Sequence, residues 1–228
     1  MLATRGARVA VAARRLDALA ELVQKIIRDG GSAFATSLDV RDEGSIIRAV
    51  TEIEKSFGPI DILVNNSGVG IVKSALEQTA DDWDAVLSVN LRGAFLVARE
   101  VAKSMRDRRT GGNIINIASI LAERQQGAIL PYAVSKAGLV QMTKSLALEL
   151  ARFDIRVNAI APGYILTDIN RSYFGSEAGG ALIKRIPQRR IGNESDLDGA
   201  LLLLASAGSS FMTGSVVAVD GGHLVSSL

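Results

Sequence analysis

The chain has 228 residues, 48% of them hydrophobic and 22% charged, with a formal net charge of +2. That size and apolar content suit one large α/β domain with a substantial core, and basic residues scattered rather than striped argue against nucleic acid as a partner. With no cysteine and a single histidine, His223, there is no disulfide framework and almost no material for a zinc site; no apolar run reaches the ~18 to 20 residues that span a bilayer, so a cytoplasmic protein away from membranes is expected.

Apolar segments rich in Val, Ile and Ala alternate with stretches of helical period, the pattern of βαβ units. Arg8–Ala13 reads as a strand and Leu16–Arg28 as a helix carrying Leu19, Leu22, Val23 and Ile26 on one stripe, stopped by Gly30-Gly31. Ser32–Ser37 reads as the next strand. Asp42 caps a helix running to residue 57, and Gly58-Pro59 breaks it before the short strand 60–64, apolar at every position but Asp61. Thr79 caps a long helical region past Asn90 to Met105, followed by a strand at 113–118. The segment 130–152 reads as a helix apolar or small on more than one face, which predicts burial on more than one side. A strand at 155–161, a helix at 194–205 and a strand at 215–219 complete the pattern. Residues 164–190 show no clear period and hold Asp168, Arg171, Tyr173, Phe174, Arg185 and Arg189; a long loop of this kind is usually functional.

Ser119, Tyr132 and Lys136 carry the chemistry. Positions four apart on a helix share a face, so the Lys136 ammonium is placed near the Tyr132 phenol and is expected to lower its pKa from the ordinary ~10, toward the range where a proton donor works best. Ser119 follows a buried strand, at the end that faces the ligand crevice in open parallel sheets, and supplies a hydrogen bond. Together they suggest carbonyl or alcohol redox chemistry.

This constellation resembles the short-chain dehydrogenase/reductase family over essentially the whole chain. Asn65-Asn66-Ser67-Gly68 is similar to that family's Asn-Asn-Ala-Gly signature, Asn90 to its helix asparagine, Ser119, Tyr132 and Lys136 to its catalytic residues, and Pro162-Gly163 with Thr167 to its nicotinamide-proximal turn. Asp39-Val40 resembles the adenine-contacting pair, and Val219-Asp220-Gly221-Gly222 an ending common in bacterial members. The resemblance implies a Rossmann-like, doubly wound parallel sheet and an NAD(P)-dependent oxidoreductase acting on a small alcohol or ketone. It assigns catalysis to Asn90, Ser119, Tyr132 and Lys136, and cofactor contacts to Asp39, Val40, Asn65, Ser67, Gly68, Tyr132, Lys136, Pro162, Gly163, Ile165 and Thr167. It also implies a homo-oligomer, dimer or tetramer, formed through the helix that bears Tyr132.

Coenzyme choice rests on the end of the Arg8–Ala13 strand, where an acidic residue would meet a ribose 2′-hydroxyl. Ala13 stands there, followed by Arg14 and Arg15. Arg14 beside an absent carboxylate suits a 2′-phosphate and favours NADP over NAD, the alternative being a solvated pair of arginines opening a helix.

The family's opening strand and Thr-Gly-x-x-x-Gly-x-Gly turn have no counterpart here. That strand is central in the family's sheet, so its lack predicts a gap of ~10 Å, two inter-strand spacings, between strands 8–13 and 60–64. The expectation is an N-terminally truncated chain. Its explanations are a misassigned start, a degenerate remnant, or a different role, the last being a non-catalytic paralogue that assembles with other subunits.

Overall fold

The computed structural model describes residues 1–167 and 170–226; Asp168 lies outside them. Six strands, β1 (Arg8–Ala13), β2 (Ser32–Ser37), β3 (Ile62–Asn65), β4 (Gly112–Ile117), β5 (Ile155–Pro162) and β6 (Val216–Val219), are all paired in parallel. The intervening helices are α1 (Leu16–Arg28), α2 (Glu43–Ser56), α3 (Ala80–Leu87), α4 (Ala94–Arg108), α5 (Leu130–Leu150), α6 (Arg171–Phe174), α7 (Glu177–Ile183) and α8 (Asp198–Ala205). The expected α/β Rossmann-like architecture is present.

The sheet is divided. β1 pairs with β2, β3 to β6 form a separate ladder in that order, and among the described residues no strand joins β1 to β3. β4 and β5 are the centre of the larger ladder. The period of two along β4 sends Ile114 to one face, where it packs with Val50, Val101, Met105 and Ala147, and Ile115 to the other, with Ile160 and Leu204. Both isoleucines are fully buried, as expected of a strand covered on both faces.

Local signals set the element ends. The Asp42 carboxylate accepts the Gly44 N–H at 2.9 Å, and Thr79 with Asp82 forms a reciprocal capping box. Three readings change. The helical region from Thr79 is interrupted by a π-helical turn, Ser88–Gly93, between α3 and α4. The long loop contains α6 and α7, too short to impose a period. And α5 buries one face only, Ser135, Lys136, Leu139, Val140, Thr143 and Ala147; its second apolar face is turned outward, with Leu148 at 83% exposure. Apolar composition around α5 is therefore not matched by packing within one chain. Among the described residues no helix is long and apolar enough to cross a membrane.

Candidate active site

Ser119 lies just beyond the carboxyl end of β4, buried, its hydroxyl accepting the Leu121 N–H at 3.1 Å as the cap of the 3-10 turn Ile120–Ala122. Tyr132 and Lys136 rise from the first turns of α5, the start of which is set by Pro131 within the first turn. The Lys136 ammonium donates to the Ile117 carbonyl at 2.7 Å and sits 5.6 Å from the Tyr132 ring centre. All three side chains are thus gathered at one sheet edge, as their spacing implied.

The electrostatics differ from the sequence-based expectation. Burial raises the Tyr132 phenol above its ordinary pKa, and the Ser119 hydroxyl works against that rise. Burial of the phenol is the dominant effect; the ammonium donates to the Ile117 carbonyl, and its own burial, at 4% exposure, pulls its pKa down to about 8.

Asn90 belongs to the π turn and is fully buried. Its amide donates to the Val69 carbonyl at 2.9 Å and to the Ser135 hydroxyl at 3.0 Å, while its oxygen accepts the Val69 N–H at 2.8 Å. Ser135 in turn donates to the Tyr132 carbonyl at 2.7 Å. The widened turn, a common device at functional sites, so ties the loop after β3 to the first turn of α5. Gly138 lets this happen, because a Cβ there would sit 2.8 Å from Leu91. Ser135 was not singled out in the sequence; a buried serine one turn from Tyr132 is its only signal.

The remaining sequence-selected residues ring the same edge. A Cβ on Gly68 would lie 3.6 Å from the Lys136 Nζ and 3.7 Å from the Asn90 Oδ1, so Gly68 and the exposed Ser67 border the space beside the lysine. Asn65 is committed inside the fold: its amide donates to the Ala94 carbonyl at 3.1 Å and to Asn116 Oδ1 at 3.0 Å, and Asn116 continues to Thr143. Its N–H groups are therefore unavailable to a cofactor. Asp39 accepts both a backbone and a forked side-chain interaction from Arg41, which holds its carboxyl down to about 2, with Arg14 adding a weaker Coulombic pull across from the end of β1. Val40 is buried against Gly93, where a Cβ would fall 2.8 Å from it.

Pro162 closes β5 opposite Val219, and Gly163 donates to the Val219 carbonyl at 2.9 Å. Ile165 bridges to Gly192, its carbonyl accepts from Asn170 at 2.8 Å, and the Thr167 N–H donates to Asn170 Oδ1. Asn170 was not anticipated; it holds this turn's shape.

Comparison with known proteins identifies the class. The family model described as enoyl-(acyl carrier protein) reductase matches residues 1–223. The 5-keto-D-gluconate 5-reductase of Escherichia coli K12 is 40% identical over 89% of this chain and 80% of its own, and the gluconate 5-dehydrogenase of Gluconobacter oxydans is 36% identical over 99% and 88%. A crystal structure of a gluconate 5-dehydrogenase from Burkholderia cenocepacia, in complex with NADP and tartrate, superposes with a TM-score of 0.94 at 37% identity, covering 99% of this chain and 89% of that one. The chain belongs to the short-chain dehydrogenase/reductase family and is an NAD(P)-dependent oxidoreductase. Relatives named for reductases and dehydrogenases do not support the non-catalytic alternative.

Proposed function

We propose that the chain interconverts a secondary alcohol and a ketone on a polyhydroxylated sugar acid, with NADP as coenzyme. The observation that carries this is the assembly of Ser119, Tyr132 and Lys136 at the carboxyl end of β4, with the phenol raised toward its protonated form by burial. In reduction, Ser119 donates a hydrogen bond to the substrate carbonyl oxygen while Tyr132 transfers its proton to that oxygen. When bound, NADPH would supply the hydride for the carbonyl carbon in reduction, and NADP+ would accept it in the reverse direction. Lys136, held by the Ile117 carbonyl, stabilises the tyrosinate that remains, and Asn90 fixes the turn and helix around both.

The residues present fit the coenzyme at three points. Arg14 meets the 2′-phosphate beside Asp39 and Val40 at the adenine end, the side-chain-free Gly68 with Ser67 and the Asn65 backbone flanks the ribose beside Lys136, and Pro162, Gly163, Ile165 and Thr167 hold the carboxamide. The sugar-acid relatives support this substrate over an oxo-acyl thioester, although a 3-oxoacyl-[acyl-carrier-protein] reductase of Mycobacterium avium is also 37% identical, and the NADP in the Burkholderia complex supports the coenzyme. We place the enzyme in the cytoplasm as a homo-oligomer, dimer or tetramer, built on the outward apolar face of α5 and the adjacent groove of about 590 Å³ lined by Leu87, Leu91, Phe95 and Met142.

The test is NADPH fluorescence titration together with NADPH-dependent reduction of 5-keto-D-gluconate. Saturable NADPH binding and turnover that falls about 10²- to 10⁴-fold in Tyr132→Phe are expected. Absence of saturable binding sinks the reading.

A further inference from the structure

Directly after Ser119 the chain turns through the 3-10 segment into a loop tied to the segment after β3, the turn after β5 and the C-terminal turn. The Lys73 N–H donates to the Ala128 carbonyl at 2.9 Å, tying this loop to the one after β3. The Tyr164 hydroxyl donates to Gln126 Oε1 at 2.6 Å, tying it to the turn after β5. Arg124, whose N–H is bonded to the Ile120 carbonyl, sends one guanidinium nitrogen to the His223 carbonyl at 2.6 Å, and the His223 ring lies 5.6 Å from that of Tyr164. Burial chiefly raises the Tyr164 phenol, with the Tyr173 phenol adding to the rise, the Arg124 guanidinium opposing it and the Tyr132 phenol adding least. Tyr164 therefore stands within Coulombic reach of both the proton-transferring phenol and this cation.

Arg124 is half-buried, and among the described residues no carboxylate lies within ion-pair distance of it. Its Nε and second terminal nitrogen have no hydrogen-bond partner, yet neither is sealed from solvent. Arg190, by contrast, already forks onto Asp196 at 2.6 and 2.9 Å. A half-buried guanidinium with one edge anchored and the other open is a preorganised fork for a carboxylate, which it binds through two parallel charge-assisted bonds. Position adds to this: Arg124 lies on the loop that runs from Ser119 to Tyr132, anchored at the Ile120 and His223 carbonyls and within Coulombic reach of Tyr164, whose hydroxyl meets the amide of Gln126.

We propose that Arg124 receives the carboxylate of an anionic polyhydroxylated substrate, with Tyr164 and Gln126 meeting its hydroxyl groups, so that the acid end sets which carbon is presented to Tyr132. This rests on the sugar-acid reading above and makes Arg124 a specificity residue.

The test compares D-gluconate with the neutral polyol D-glucitol, by calorimetric binding to the NADP-loaded protein and by steady-state kinetics, in the wild type, Arg124→Met and Arg124→Lys. Expected in Arg124→Met is a loss of about 10- to 100-fold in gluconate affinity, the range for a hydrogen-bonded charge, with glucitol unchanged and part of the loss recovered in Arg124→Lys. Rising salt should weaken gluconate binding and spare glucitol in the wild type, a measurement that stands even if Arg124→Met misfolds. Equal losses for both ligands, or equal wild-type affinity for both, overturns the proposal while leaving the oxidoreductase reading intact. Selective loss of gluconate binding in a protein that shows no NADP-dependent turnover would instead uphold Arg124 and overturn the reaction.

Discussion

Lys136 shows how one residue serves chemistry at a cost to stability. Its pKa is pulled down to about 8 by burial, below the ~10.4 of an unfolded chain. Below pH 8 both states carry the proton and the folded state bears the full desolvation penalty; between about 8 and ~10.4 only the unfolded chain keeps it, so this group makes stability rise with pH across that window. Lys136→Met should stabilise the protein at pH 7 by about 2 kcal/mol, the relieved desolvation of ~3 kcal/mol less ~1 for the lost bond to the Ile117 carbonyl. It should also flatten the pH dependence, as read by urea denaturation at pH 7 and 9.5. Unchanged stability would show that the ammonium is solvated. Tyr132, raised by burial, is a protonated donor near neutrality. Alcohol oxidation, which needs the phenolate, should accelerate as pH rises from 7 to 9 while ketone reduction does not, checked by initial rates in both directions.

At the level of elements, the turn after β5 depends on backbone closeness. A Cβ on Gly163 would fall 2.7 Å from the Cα of Asp220, an atom that cannot swing aside, so Gly163→Ala must displace the Asp220-Gly221-Gly222 turn. Overpacking of this kind costs about 1 to 3 kcal/mol. The expected outcome is a lower melting temperature and weaker NADPH binding, with far-ultraviolet circular dichroism unchanged; wild-type values for both would show the turn to be compliant. Most elements were legible from local signals: caps at Asp42 and Thr79, the break at Gly58-Pro59, and the isoleucine-rich stretch of β4. The π turn around Asn90 was not, because its cause is a set of bonds to Val69 and Ser135, 21 and 45 residues away.

Across the molecule, burial is uneven. β4 and β5 carry Ile114, Ile115, Ile155 and Val157 at zero exposure, whereas no residue of β1 is buried and β2 buries only Thr36. The β1–β2 pair is a ladder of its own, held to the rest chiefly through α2 and its neighbours. Local opening free energies follow buried contacts, so β1 and β2 amides should exchange hydrogen well before those of β4 and β5, with NADP slowing exchange at β1, β2 and the turn after β3. Uniform protection across both ladders would contradict this picture and point to a continuous sheet in solution.

The sequence alone determined what depends on neighbours along the chain: the strand and helix succession, and Tyr132 beside Lys136, since helical spacing places residues four apart on one face whatever surrounds them. Tertiary structure decided what depends on burial and on distant segments. It turned the expected lowering of the Tyr132 phenol into a rise, because burial penalises a phenolate and that penalty dominates. It also set Arg124 against His223, 99 residues on, a meeting produced by the parallel order of β4, β5 and β6, which brings the loops at their carboxyl ends together around one site.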